Sequence, residues 1–217
     1  MKGLTVSYGS TVALKPLNLT LYDGVTGVFG PNGAGKSTLL RVLAGLLRPS
    51  GGSASLWGRE IRSSDEMIRR RIGYAGHESG LYSRLSVTEN LTLFAELYGV
   101  RRARVDEVLE GLALTERAGA PVGALSAGLK RRAAVARAVL HEPDVLLLDE
   151  PYANLDDDAA ERVSVTIKSW RSPGRVALIA THGAKRVKAF ADAGIIVQRG
   201  IVISYRRRTA TGYEMAT

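Results

Sequence analysis

GPNGAGKST, residues 30–38, is the stretch on which the reading of this chain turns. It matches G-x-x-x-x-G-K-[ST] in full and stands between a short apolar run, VTGVFG, and a run with helical spacing, Lys36–Leu47. Gly30, Gly33 and Gly35, with Pro31, Asn32 and Ala34 between them, let backbone N–H groups curl around phosphate oxygens. The helix that follows adds its positive end. Lys36 has the reach for β- and γ-phosphates, Ser37 offers a hydroxyl to Mg²⁺, and Thr38 closes the run. Strand, glycine-rich turn and helix in that order are the context this chemistry requires, and they predict an α/β fold around a nucleotide.

A second run completes the chemistry. VLLLDE, residues 145–150, is continuously apolar and then acidic, as expected of a strand buried on both faces. Asp149 at its end is the candidate for the Mg²⁺ shell, and Glu150 for orienting or deprotonating a water. His182 ends another apolar run, RVALIATH, where an imidazole can touch a γ-phosphate.

Outward from these runs the pattern alternates. Residues 4–29 read as strands and turns, including LNLTLYDG, which alternates up to Asp23-Gly24. Helical spacing resumes from Val87 to Leu114 and again in LKRRAAVARAVLH, where Ala133, Ala136, Val139 and Leu140 form an apolar stripe. DDDAAERVSVTIKSW reads as a helix with an acidic first turn, and AGIIVQRGIVISY as a hairpin around Arg199-Gly200. These elements predict one unit over residues 1–205, with a helical subdomain inserted at about 77–140, and a polar tail over 206–217 that frays.

Composition narrows the partners. The chain has 217 residues, no cysteine and a formal charge of +9, which excludes disulfides and thiolate chemistry. The basic clusters, among them Arg101–Arg104 and Lys130–Arg132, carry no interleaved aromatics, so a base-stacking surface is not expected. A basic exterior near lipid head groups or a partner protein fits better. No apolar run has the length of a membrane span or a leader.

Taken in order, the motifs resemble the ATP-binding cassette (ABC) ATPases from about Leu4 to Tyr205. LSAGLKRR, residues 125–132, looks like the family signature usually written LSGGQ, with Ser126 placed 23 residues before Asp149. ANLD, residues 153–156, looks like the D-loop ending on Asp156, and His182 like the switch histidine. Tyr8 sits where the family stacks an aromatic ring on adenine, a buried strand tyrosine being the other reading. The resemblance implies an α/β P-loop core with an antiparallel β subdomain and an inserted helical one. It also implies ATP and Mg²⁺ as ligands, and two cassettes packed head to tail so that each signature faces the other's nucleotide. Ser126 would offer its hydroxyl there, and Gly128 would let backbone approach.

Three departures are visible. Ala127 and Leu129 replace a glycine and a glutamine of the signature, and Leu129 lacks an amide for the seam. GYAGHESGLY has no glutamine where the family places one against Mg²⁺; the position falls on His77 or Glu78, and Glu78 is a metal-ligand candidate. Seven residues precede Tyr8, which implies a shortened first strand and a start later than the family's. GHESGLY and LSAG look most like the haem-exporter ATPase of cytochrome c maturation and ABC-2-type exporters. The expectation is an exporter ATPase at the cytoplasmic face of the cell membrane, a homodimer or paired with another ABC subunit, serving a separate transmembrane permease. A soluble ABC ATPase acting on nucleic acid or ribosomes is the rival; such relatives carry two cassettes or long coiled-coil arms, and this sequence shows neither.

Overall fold

A computed structural model of the chain describes residues 1–62, 65–209 and 212–215. Strands β1 (Lys2–Tyr8) and β2 (Thr11–Leu17) form a hairpin, and β3 (Gly24–Phe29) leads through the glycine-rich loop into α1 (Lys36–Leu43). There follow β4 (Gly51–Ser53), β5 (Ser55–Leu56), β6 (Arg59–Glu60), α2 (Glu66–Arg69) and β7 (Ile72–Ala75). Three helices come next: α3 (Val87–Tyr98), α4 (Ala103–Gly111) and α5 (Ala127–Val139). The chain then alternates through β8 (Val145–Asp149), α6 (Asp157–Trp170), β9 (Val176–Thr181) and α7 (Ala184–Lys188), and ends in β10 (Ala193–Gln198), β11 (Ile201–Thr209) and β12 (Gly212–Met215).

The main sheet has the order β12-β11-β10-β3-β9-β8-β7, parallel from β10 to β7 and antiparallel at the β11–β12 edge. A smaller sheet, β2-β1-β4, is antiparallel. Continuous apolar runs become central strands because both faces are covered. In β8, Leu146 and Leu148 enter one core with α3–α6, while Val145 and Leu147 enter another with α1 and the small sheet. Ala177 and Ile179 against Leu178 and Ala180 repeat the division in β9. The stripe expected on α5 is wider in the structure: Ala134, Val135 and Ala138 are buried too, because the helix lies between the sheet and its neighbouring helices.

Local chemistry sets the boundaries. Ser86 caps α3 by accepting the Glu89 N–H at 3.1 Å, and the Glu89 carboxylate accepts the Ser86 N–H at 2.7 Å. α1 stops at Leu43 rather than Leu47, since Gly45 takes φ +69 and turns the chain. Two further expectations are corrected. Asn18–Asp23 forms no strand: Leu19 exchanges hydrogen bonds with Met1 in both directions and Asn18 Oδ1 accepts from Gly3 N, but the pairing does not continue as a ladder. The tail does not begin at Arg206, because β11 continues to Thr209 with Arg206 opposite Gly194 and Arg207 opposite Ala193, and β12 pairs with it. A polar sequence is what an edge strand tolerates. Residues 210, 211, 216 and 217 of that expected tail lie outside the described residues.

Candidate nucleotide site

The phosphate loop is shaped by backbone constraints at both ends. Gly30 adopts φ +152, and a Cβ there would stand 2.1 Å from the Val197 carbonyl; at Gly35, φ +106, it would stand 2.7 Å from that of Ala13. Glycine is required at both positions by space as well as by conformation. The β10–β11 turn braces the loop from behind: Gly200 N–H donates to Ala34 O at 2.9 Å, and Gly200 O accepts from Lys15 N at 2.8 Å. Lys36 is buried, and its ammonium donates to the carbonyls of Gly30 at 2.7 Å and Pro31 at 3.0 Å. The cation is therefore held across the loop, while Pro31, Asn32 and Gly33 are exposed at its tip. Ser37 and Thr38 follow, half-buried in the first turn of α1.

Two strands away, Asp149 ends β8 with 3 % of its surface exposed, and its Oδ2 has no hydrogen-bond partner. A buried carboxylate oxygen left open calls for a cation. Among the described residues no three His, Cys, Asp or Glu side chains converge on a metal position. A cation held by Asp149 and Ser37 would thus complete its shell from phosphate and water, as Mg²⁺ does.

Glu150 is gripped more fully than its sequence position suggests. Its backbone takes φ +50, a left-handed conformation that costs a non-glycine residue about 1–3 kcal/mol and clusters at functional sites. Its Oε1 accepts the His182 N–H at 2.8 Å and lies 2.9 Å from His182 Nδ1; its Oε2 accepts the Thr181 hydroxyl at 2.9 Å. Three of about four acceptor positions are filled, so one lone pair remains for a water. With Nδ1 donating to Glu150, a neutral His182 keeps Nε2 as an acceptor; donation from Nε2 to a phosphate oxygen then requires the imidazolium. Thr181, buried and also accepting the Gly183 N–H at 3.0 Å, went unnoticed in sequence because a threonine ending an apolar strand carries no signal of its own.

The remaining candidates fall in different places. Tyr8 is 48 % exposed at the end of β1, so the buried-tyrosine reading is removed and its ring is free to stack. Arg41 lies near it, and the Tyr74 phenol first, with the Tyr8 phenol after it, holds that guanidinium above its usual pKa. Ser126 is the N-cap of α5, accepting the Leu129 N–H at 3.2 Å, and is exposed together with Ala127. A Cβ on Gly128 would stand 2.7 Å from the Asn154 carbonyl, so this glycine lets the start of α5 touch the 153–156 turn. Leu129, half-buried, packs against the core and presents no amide at the seam. Asp156 is engaged as the N-cap of α6, accepting the Ala159 N–H at 2.8 Å. Glu78 and His77 are exposed on the bend after β7, and Glu78 lines a groove of about 670 Å³ with Arg69, Tyr74, Phe94, Tyr98 and His141. No phosphate-loop residue lines that groove. Burial pushes the His141 imidazole, stacked on Tyr98 at 4.0 Å, down to about 4.

A phosphate loop, an open buried aspartate and a braced glutamate at the C-terminal ends of β3 and β8, two parallel strands flanking β9, define a P-loop nucleotide hydrolase. The sequence family described as ABC transporter matches residues 14–153, and the chain belongs to it. It is 35 % identical over 208 residues to the ABC transporter ATP-binding protein NatA of Bacillus subtilis, covering 93 % of this chain and 84 % of that one. It is 37 % identical to the Nod factor export ATP-binding protein I of Cupriavidus pinatubonensis, over 89 % of this chain but 61 % of the relative. The daunorubicin/doxorubicin resistance ATP-binding protein DrrA of Streptomyces peucetius is 34 % identical over 93 % of this chain and 63 % of its own. The chain thus spans about three-fifths of the length of these last two. Among solved structures, a dimeric ATP-binding cassette in a post-hydrolysis state, bound to ADP and Pi, superposes with a TM-score of 0.86. It is 27 % identical, over 95 % of this chain and 97 % of that one. The protein is an ABC-type ATPase cassette, and no helix among its described residues is long and apolar enough to cross a membrane.

Proposed function

We propose that the chain is the ATP-hydrolysing subunit of an exporter, working as a head-to-tail pair with a second copy or a paired ABC subunit, beneath a separate permease at the cytoplasmic face of the membrane. The observation that carries this reading is the exposed start of α5. Ser126 and Ala127 face solvent, and the first N–H groups of the helix have no partner within it. Such an end attracts a phosphate, and the Ser126 hydroxyl, which accepts from Leu129, keeps its own hydrogen to donate.

In this reading the glycine loop and Lys36 hold the β- and γ-phosphates, Tyr8 stacks on adenine, and Ser37 and Asp149 hold Mg²⁺. Held by Ser37 and Asp149, Mg²⁺ would supply positive charge against the charge that develops on the phosphates. Glu150 takes a proton from, or aligns, the attacking water with its remaining lone pair, while His182 and Thr181 fix its carboxylate. Ser126 and Gly128 of one cassette approach the γ-phosphate of the other, and Asp156 keeps the intervening turn in place through its cap. Closing on two ATP molecules and reopening after hydrolysis would drive the permease.

The groove beside Glu78, with Phe94, Leu97 and Tyr98 next to Arg69 and Arg70, supports a protein partner: it mixes apolar surface with charge. Export is favoured by the relatives named for Nod factor export and drug resistance. Neither is named for haem, so haem export rests only on the short GHESGLY and LSAG runs. The relatives named here are not named for nucleic acid.

Mixing two inactive variants tests the shared site. Ser126→Arg obstructs the partner's phosphate and Lys36→Ala disables the chain's own loop. In a mixed dimer one composite site carries both defects and the other neither, so hydrolysis should return. If exchange is demonstrated, one intact site suffices, and no activity returns, the start of α5 is not serving a neighbour.

A further inference from the structure

Four cations on α5 bond to backbone carbonyls of the same chain. Lys130 Nζ donates to Gly123 O at 3.0 Å, Arg132 Nη1 to Leu112 O and Ala113 O at 2.8 Å each, and Arg137 Nη2 to Tyr74 O at 2.7 Å. Arg131 differs in what it joins. Its Nη1 donates to Gly76 O at 2.6 Å and to Asp149 O at 3.2 Å, and its Nη2 to His77 O at 3.4 Å. One guanidinium thus ties α5, the end of β8 and the bend that carries His77 and Glu78. These contacts span 18, 54 and 55 residues of chain.

The arrangement is expensive. Arg131 is 8 % exposed, and none of its hydrogen bonds goes to a carboxylate. A buried cation without an ion pair loses hydration that carbonyl dipoles replace only in part. Burial pushes its pKa down, while the charges of Asp149 and Glu150 oppose that fall. A shape-matched apolar residue would fill the space at lower cost if packing were the sole requirement. What an apolar residue lacks is a planar fork of donors able to hold three carbonyls at once.

We propose that Arg131 is a positioning residue that makes the His77–Glu78 bend, the start of α5 and the Asp149–Glu150 edge move as one body. A displacement at the groove would then reach the hydrolytic carboxylates through one side chain. The inference rests on reading Asp149 and Glu150 as the hydrolytic edge. None of the Arg131 hydrogen bonds goes to the phosphate loop, so its removal should misplace the reacting groups while leaving ATP affinity in place.

Arg131→Gln should lower turnover at saturating ATP by roughly ten- to a hundredfold, with KM for ATP within about twofold of the parent, after normalising to sites that bind nucleotide. Arg131→Lys, a point charge able to hold some of the carbonyls, should recover part of that loss. His77→Gly, which loosens the bend, should lower turnover in the parent and add little in the Arg131→Gln background. Arg132→Gln, whose contacts lie within the helical subdomain, should keep parental turnover per folded site. Parental turnover in Arg131→Gln overturns the proposal. So does an equal loss in Arg132→Gln, a fall explained wholly by unfolded protein, or an additive effect of His77→Gly. If instead Lys36→Ala and Glu150→Gln both turn over ATP like the parent, the reading of the site itself fails, before Arg131 is at issue.

Discussion

The ends of β3, β8 and β9 and the start of α5 are two halves of different completeness. At the first, the chain holds Lys36 by the Gly30 and Pro31 carbonyls and Glu150 by His182 and Thr181, and leaves only an Asp149 oxygen open inside it. At the second, Ser126 is tied only to its own helix through the Leu129 N–H, and the Ala127 and Gly128 N–H groups meet nothing in that helix. The first half is preorganised for chemistry; the second is finished as structure and unfinished as a site. A single chain with that asymmetry is read most simply as half of two composite sites, and each half can be perturbed alone.

The largest effect should come from Glu150→Gln. The isosteric amide keeps the fold but gives up the basic oxygen, so turnover should fall by roughly 10²–10⁴-fold. ATP binding should persist, and gel filtration with ATP should show a dimer where the nucleotide-free parent is mostly monomer. Turnover at the parental rate would remove Glu150 from the first half altogether.

Lys36→Ala should come next. It removes a charge-assisted contact to the triphosphate, of the class that contributes about 1.5–3 kcal/mol, and so about ten- to a hundredfold in ATP affinity. It also frees the two loop carbonyls that the ammonium now ties. Calorimetric titration with ATP measures the loss, and unchanged affinity would break the assignment of the loop.

Gly128→Ala probes the second half with a single methyl. The new Cβ would lie 2.7 Å from the Asn154 backbone carbonyl, so the 153–156 turn or the start of α5 must move. Strain of this kind costs about 1–3 kcal/mol of stability. Turnover should drop while ATP binding to the isolated chain stays near the parent's. A variant with reduced ATP binding instead would show that the two halves are coupled within one chain.

What the sequence made legible in these halves follows from distance along the chain. The phosphate loop, the strand ending on Asp149 and the helix after Ser126 are each written in a dozen consecutive residues, and each stands where expected. Thr181 and Arg131 were not legible, because their roles depend on partners 18 to 55 residues away. Arg131 in LSAGLKRR reads as one more surface cation until the fold brings three carbonyls to it. The continuation of β11 past Tyr205 and β12 were missed for the opposite reason: their residues are polar, and only pairing with β10 and with each other makes them strands. Asn18–Asp23 alternates as a strand should, yet no neighbour offers it a ladder.

The smallest effect belongs to Ser126→Ala, and it sharpens the comparison most finely because Ser126 has two separable capacities. Its oxygen accepts the Leu129 N–H within its own chain, whereas its hydrogen is left for a partner's phosphate. Loss of the cap costs about 1 kcal/mol, which for a domain of this size lowers the melting temperature by roughly 2–4 °C. Ser126→Asn, as good a cap, should melt like the parent. Turnover should fall in Ser126→Ala beyond what its stability explains, because the donor toward the second nucleotide is gone while the helix still forms. If Ser126→Ala melts with the parent, the cap contributes nothing and the start of α5 is not finished by its own chain. If it melts lower but hydrolyses at the parental rate, the hydroxyl serves the helix alone, and the phosphate of the neighbour is met by the backbone N–H groups without it.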